Sequence, residues 1–265
     1  MLSMLEQLRE LVPPLARQEL LPRYTRVAAS LKADGSVVTE ADVACQRVLA
    51  DALAARWPHI PLLGEEMDAA VQQRLLDDSV AGLWCLDPLD GTSNFAAGIP
   101  YFALSLAFVQ QGEVRLGLVY DPVRDECYSA ARGHGAWLNG EPLRARASGL
   151  PLSRCIALVD FKRLPPALSA RLVCATPYAS QRNFGASALD WCSLAAGRGH
   201  LYLHGRQSLW DYAAGSLILA EAGGCAETLQ GEPVLHVGLQ PRSVVAALDP
   251  ALFGPWREWI AAADG

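Results

Sequence analysis

The segment LWCLDPLDGTSNF, residues 83–95, constrains this chain more than any other. An apolar run stops at Asp87, and Asp90 follows three residues on. Pro88 fixes the backbone between them, and Gly91 permits a conformation closed to other residues. A helix can start at Thr92. Carboxylates at the end of a strand point out of the sheet into a crevice, which is where α/β proteins place their ligands.

Two or three carboxylates converging on one point are costly unless a cation neutralises them. Three further carboxylate sites suggest such convergence. IPLLGEE (60–66) is a second apolar run, delivering Glu65 and Glu66 at its end. TEADVACQRVLADALAAR (39–56) reads as an amphipathic helix, with Thr39 as N-cap and Asp42 in the first turn. Its apolar face is Ala41, Cys45, Val48, Leu49, Ala52 and Leu53. Asp211 opens the helical stretch WDYAAGSLILAEAGG, which stops at Gly223–Gly224.

Oxygen-only ligands favour hard cations such as Mg²⁺. Backbone N–H groups at Gly91 and Thr92, at a helix start, suit a phosphate. The combination points to two-metal phosphoryl chemistry. Each piece alone has a plainer reading: DPLDG is a common turn, GEE a solvated loop, and Asp211 a helix cap. Their joint occurrence favours the site.

The rest of the sequence bounds the setting. Hydrophobic residues at 51% exclude a disordered chain, and a net charge of −6 excludes a basic footprint for nucleic acid. Seven cysteines without a CxxC pair argue against a disulfide framework or a zinc knuckle. The N-terminus lacks the basic start of a signal peptide, and no apolar run approaches the ~20 residues of a membrane span. A cytoplasmic protein with reduced thiols is expected, with no membrane or nucleic-acid partner. FALSLAFV and EVRLGLVYDP, joined by QQG, predict a β-hairpin, and short strands with glycine turns follow. ARASGLPLS (145–153) marks a boundary between a meandering half, 1–146, and an alternating α/β half, 147–265. The expected class is a layered α/β protein. GxSxG, P-loop, HExxH and GxGxxG motifs are all missing, and the five histidines have no metal-ligand spacing.

KADGSVVTEAD (32–42), GEE (64–66), WCLDPLDGTSNF (84–95) and WDYAAGSLILAEAGG (210–224) resemble, in order and spacing, the inositol monophosphatase family of metal-dependent, lithium-sensitive phosphatases. The resemblance implies an α/β/α/β/α sandwich with the site between two halves, two or three Mg²⁺ ions, and a homodimer. Glu65, Asp87, the Leu89 carbonyl, Asp90 and Asp211 match the metal ligands, and Glu66 is the less favoured of its pair. Thr92, paired with Asp42, matches the group that orients and deprotonates the attacking water, with Glu65 helping to hold it. Gly91 and Thr92 match the phosphate cradle, and Lys32 sits in a loop that covers the metals in relatives. No covalent phosphoenzyme is implied.

For the leaving alcohol, the resemblance points to Asp90, Gly185, Ala186, Ser187, His204 and Asp211. His204 stands where enzymes acting on inositol phosphate carry a glutamate. Arg182 and Arg206 are candidates for a second phosphate or a carboxylate. The expected substrate is a small phosphorylated metabolite, with inositol 1-phosphate first and histidinol phosphate second. Fructose 1,6-bisphosphate and adenosine 3′,5′-bisphosphate rank lower, since SNF after DGT resembles the inositol or histidinol type. A regulatory binder on the same fold should have lost some of Glu65, Asp87, Asp90, Thr92 and Asp211. All five are present.

Overall fold

The computed structural model describes residues 1–24, 29–31, 37–78 and 81–262. Helix α1 (Leu2–Leu20) is followed by β1 (Ala29–Leu31), β2 (Val37–Thr39) and α2 (Glu40–Arg56). Next come β3 (Leu62–Gly64), α3 (Ala69–Asp77), β4 (Leu83–Asp90) and the short α4 (Thr92–Ala97). A meander continues through β5 (Ala103–Gln110), β6 (Glu113–Asp121), β7 (Glu126–Ala131), β8 (Gly135–Leu138) and β9 (Glu141–Leu143). The chain then alternates: β10 (Ile156–Asp160), α5 (Pro166–Cys174), β11 (Ser180–Arg182), α6 (Ser187–Ala195), β12 (Leu201–Gln207) and α7 (Leu209–Ala222). It ends with β13 (Cys225–Glu227), β14 (Arg242–Ala247) and α8 (Pro250–Ala261).

Strands β3 to β9 form a seven-stranded sheet in chain order, antiparallel except for the β3–β4 pair. The FALSLAF segment is buried in its interior as β5, and the expected hairpin turns on Gln111 and Gly112, both at positive φ. A five-stranded sheet has the order β11-β10-β12-β14-β13, with β11, β10 and β12 parallel.

Helices α1 and α2 cover the outer face of the larger sheet, α6 and α7 lie between the sheets, and α5 and α8 cover the far face of the smaller. The layering is therefore α/β/α/β/α. Helix α7 is apolar nearly all round because both its flanks are covered. Its approach is close: a Cβ on Gly117 of β6 would come within 2.8 Å of the Ala214 carbonyl oxygen, and one on Gly215 within 2.5 Å of Trp191 Cβ.

Helix α2 begins where expected, with Thr39 and Asp42 closing a reciprocal capping box. Ala41, Cys45, Leu49 and Leu53 are buried, whereas Val48 and Ala52, at the edges of the stripe, are half-buried. Helix α1 is not expected from the sequence, because Pro13 and Pro14 lie inside it. Packing outweighs the lost hydrogen bonds there: Leu5, Leu8, Val12, Ala16 and Leu20 form one buried stripe. No described helix is long and apolar enough to cross a membrane.

Candidate active site

Asp87 and Asp90 are three residues apart, so a regular strand would aim them at opposite faces. Strand β4 is not regular there. Asp87 pairs with Ser105 and Asp90 with Ala103, so β4 spends three steps against two on β5. This bulge at Pro88–Leu89 absorbs a residue and restores the phase, and both carboxylates turn to the same side. Asp211 joins them from the first turn of α7. One carboxylate oxygen from each of the three lies within 4.8 Å of the others.

Each carboxylate is held by a local backbone amide. Asp87 Oδ1 accepts from Leu89 N at 2.9 Å. Asp211 Oδ2 accepts from Ser208 N at 2.8 Å, closing the capping box of α7. Asp90 Oδ2 accepts from Ala188 N at 2.6 Å, and Ser187 Oγ lies 3.5 Å from Oδ1. Helix α6 has no side-chain cap of its own, so Asp90 caps it from across the crevice.

Burial and mutual repulsion push these acids upward. Asp87 and Asp211 stand well above the ordinary carboxylate range, through burial first and then the neighbouring carboxylates, Glu65 included. Burial likewise takes Asp90 to about 7. Glu65 sits just beyond β3, its amide bonded to the Leu86 carbonyl at 3.1 Å and its carbonyl to Gln72 Nε2 at 3.3 Å. The negative charge of Glu65 raises all three aspartates, which places it in the same field. Glu66 is half-buried, and its amide meets Gln46 Oε1 at 3.3 Å.

Thr92 Oγ1 lies 3.1 Å from Asp42 Oδ1 and 3.0 Å from the Leu89 carbonyl. The other Asp42 oxygen is occupied by Thr39, through its amide at 2.8 Å and its hydroxyl at 2.7 Å. Burial raises Asp42, although these hydrogen bonds pull it back. The Thr92 hydroxyl faces two acceptors, so its own lone pairs are available to a donor such as water. Gly91 precedes it in the left-handed region, φ +87°. A Cβ there would also sit 3.0 Å from both Ala186 Cβ and the Tyr101 carbonyl oxygen, so only glycine fits. The amides of Gly91 and Thr92 precede the first hydrogen bond of α4, Phe95 N to Gly91 O at 3.0 Å.

The leaving-group candidates fall into two groups. Ser187 lies beside the Asp90 carboxylate, Ala186 beside Gly91, and Gly185 (φ +78°) beside the Asn94 side chain. His204 stands on β12 opposite Asp160 of β10, Nε2 to Oδ2 3.2 Å. Its Nδ1 accepts from Arg206 N at 3.2 Å, which leaves the ring proton on Nε2, facing Asp160. Arg182 is occupied on its own strand by Ser180 Oγ at 2.6 Å and the Gln181 carbonyl at 2.8 Å. Arg206 is exposed. Lys32 lies outside the described residues.

Two further residues support the site: Asn94, which lies inside the DGTSNF motif without a role assigned by it, and Asp190, which lies in no motif. Asn94 Nδ2 donates to the Tyr101 carbonyl at 2.8 Å and the Phe184 carbonyl at 2.7 Å, tying both loops to α4. Asp190 is buried in α6, accepts from Tyr101 OH at 3.1 Å and is raised by burial to about 8. Its signal is a carboxylate inside the apolar run ALDWCSLAA.

Residues 5–262 match the inositol monophosphatase family. The chain belongs to that family. It is a metal-dependent phosphatase of the inositol monophosphatase type. It is 30% identical to Inositol monophosphatase 1 of Bos taurus over 245 residues, covering 90% of this chain and 86% of that one. It is 34% identical to Nus factor SuhB of Pasteurella multocida over 206 residues, 76% and 75% of the two chains. A solved IMPase/NADP phosphatase complexed with Mg²⁺ and phosphate is 25% identical, covers 96% of this chain with 95% of its own, and superposes with a TM-score of 0.82.

Proposed function

We propose that the protein hydrolyses a small phosphate monoester by attack of water, with Mg²⁺ as cofactor. One observation carries this reading: Asp87, Asp90 and Asp211 converge within 4.8 Å, all with carboxyls raised by burial and repulsion. That donor set fits a hard divalent cation, which removes the repulsion. Asp87, Asp90, Asp211, Glu65 and the Leu89 carbonyl would hold two or three Mg²⁺ ions. When bound, Mg²⁺ supplies Lewis-acid stabilisation of charge on the phosphoryl and leaving oxygens and makes water a stronger nucleophile.

The remaining work falls to the chain. Thr92 accepts a proton-bearing water at Oγ1 while its own hydrogen is directed to Asp42, which orients the attack and starts the path for the proton. Gly91 and Thr92 amides bind phosphate oxygens, and α4 cannot shift freely because Asn94 ties it to both neighbouring loops. The leaving alcohol then faces Ser187, His204 and Asp211.

Inositol 1-phosphate is the first ester to test and histidinol phosphate the second. The likeness to a Nus factor SuhB motivates a second reading, a regulatory partner-binding role. The complete ligand set favours catalysis. The test is phosphate release from inositol 1-phosphate, histidinol phosphate, fructose 1,6-bisphosphate and adenosine 3′,5′-bisphosphate, with and without Mg²⁺. At least one ester is cleaved only with Mg²⁺, and Asp87→Asn lowers that rate by about a hundredfold or more. Unchanged metal-dependent turnover in Asp87→Asn would overturn the assignment.

A further inference from the structure

The edge of the smaller sheet that leads into Asp211 carries two arginines, Arg163 and Arg206, without an ion-pair partner among the described residues. Strands β11, β10 and β12 are parallel, so their C-terminal ends share one edge. After β10 the chain makes a single 3-10 turn, Phe161–Arg163. After His204, β12 bulges against β14 before α7 begins: His204 pairs with Val244 and Gln207 with Arg242. Gly205 lies in that bulge, and a Cβ on it would sit 1.6 Å from the Arg163 carbonyl oxygen and 2.8 Å from Leu164 N. The two backbone segments are thus in direct contact, which brings Arg163 close to the segment that carries Arg206.

Both side chains are exposed, and among the described residues neither guanidinium makes a hydrogen bond or an ion pair within 4 Å. Asp160 does not take them up: Oδ1 accepts from Lys162 N at 2.9 Å and Oδ2 faces His204 Nε2. The charge of Arg163 nevertheless reaches Asp160 and, across the crevice, Asp211. A neutral polyol is gripped by paired donors and acceptors, but this rim offers a carboxylate and an imidazole already engaged with each other and two guanidiniums without a partner among the described residues. Guanidiniums fit planar or tetrahedral oxyanions.

We infer that the alcohol of the substrate carries a second anionic group, a phosphate or a carboxylate, received by Arg163 and Arg206 beside Asp211. This deepens the phosphatase reading above and rests on it. It moves doubly anionic esters ahead of inositol 1-phosphate.

The test separates the two ideas. Mg²⁺-dependent hydrolysis of p-nitrophenyl phosphate reports the metal site alone. Competition is then measured, at fixed free Mg²⁺, by two matched pairs: fructose 1-phosphate against fructose 1,6-bisphosphate, and glycerol 3-phosphate against 3-phosphoglycerate. The doubly anionic member of at least one pair inhibits about tenfold more tightly, and the pair that discriminates identifies the second anion. Arg163→Ala or Arg206→Ala reduces that ratio about fivefold, and Arg163→Lys keeps most of it. Equal inhibition within both pairs, or a preference that survives the double alanine variant, overturns the inference and leaves the phosphatase standing. Absence of Mg²⁺-dependent turnover in folded protein overturns both.

Discussion

Asp42 serves a helix and a site with different oxygens. Oδ2 closes the capping box of α2 with Thr39, and Oδ1 faces the Thr92 hydroxyl. Helix stability thereby fixes the position of the catalytic candidate, because Asp42 cannot rotate without losing the cap. Thr92→Val removes the hydroxyl and keeps the volume. It is expected to lower kcat about a hundredfold with KM within about twofold, while Thr92→Ser retains most of the rate. The rise in Tm on adding Mg²⁺ should be the same in Thr92→Val as in the parent, since Thr92 contributes no carboxylate. Loss of that rise would assign Thr92 to the metal site rather than to water.

At the scale of elements, two strands lose their regular pairing just before a helix that carries site residues. β4 bulges before α4, and β12 bulges before α7. The first bulge is half legible in the sequence: Pro88 and Gly91 announce a special backbone, but the two-residue count on β5 that sets its phase is a property of pairing. The second leaves no local mark. Gly205, the one glycine in HLYLHGRQS, carries no turn signature, and only the fold brings the Arg163 carbonyl onto it. For the same reason Arg163 is invisible as a site residue, whereas the ligand carboxylates stand at the ends of apolar runs and can be read directly. Helix α1 is hidden by its two prolines, whose penalty is offset by partners far along the chain. Gly205→Ala tests the second bulge. The new methyl meets backbone, which cannot step aside as a side chain would, so about 1–3 kcal/mol of stability is lost. Differential scanning calorimetry should show Tm lower by roughly 3–10 °C. A Tm within a degree of the parent would mean that the 161–164 segment yields freely.

On the scale of the whole molecule, the carboxylates sit beside the buried core around the inner helix layer, Asp87 buried and Asp90 and Asp211 half-buried, and this sets how stability responds to pH and metal. Asp90 is raised to about 7 and Asp190 to about 8 by burial, and Asp87 and Asp211 stand well above the ordinary range. An acid raised in the folded state binds protons there that the unfolded chain has already released, so its contribution is complete below about pH 4 and is lost as pH rises through the folded value. Carboxyls that are lowered, such as Glu126 beside Arg198 and Asp160 beside His204, gain or lose their contribution below about pH 4.5, outside this window. His200, lowered by burial, acts in the opposite sense, favouring the folded state as pH rises. One histidine is set against several acids, so the net slope in metal-free protein is downward from pH 5 to 8. Mg²⁺ reverses this, because it binds the deprotonated ligands and competes with protons for them. After chelation, Tm should fall across that range, and the gain on adding Mg²⁺ should be small at pH 5 and largest at pH 8. Asp87→Asn should flatten both trends by removing one of the converging charges. A metal-free Tm that stays level, with a Mg²⁺ gain independent of pH, would mean that the three aspartates carry full charge in the folded protein without the cation, against the repulsion their burial imposes.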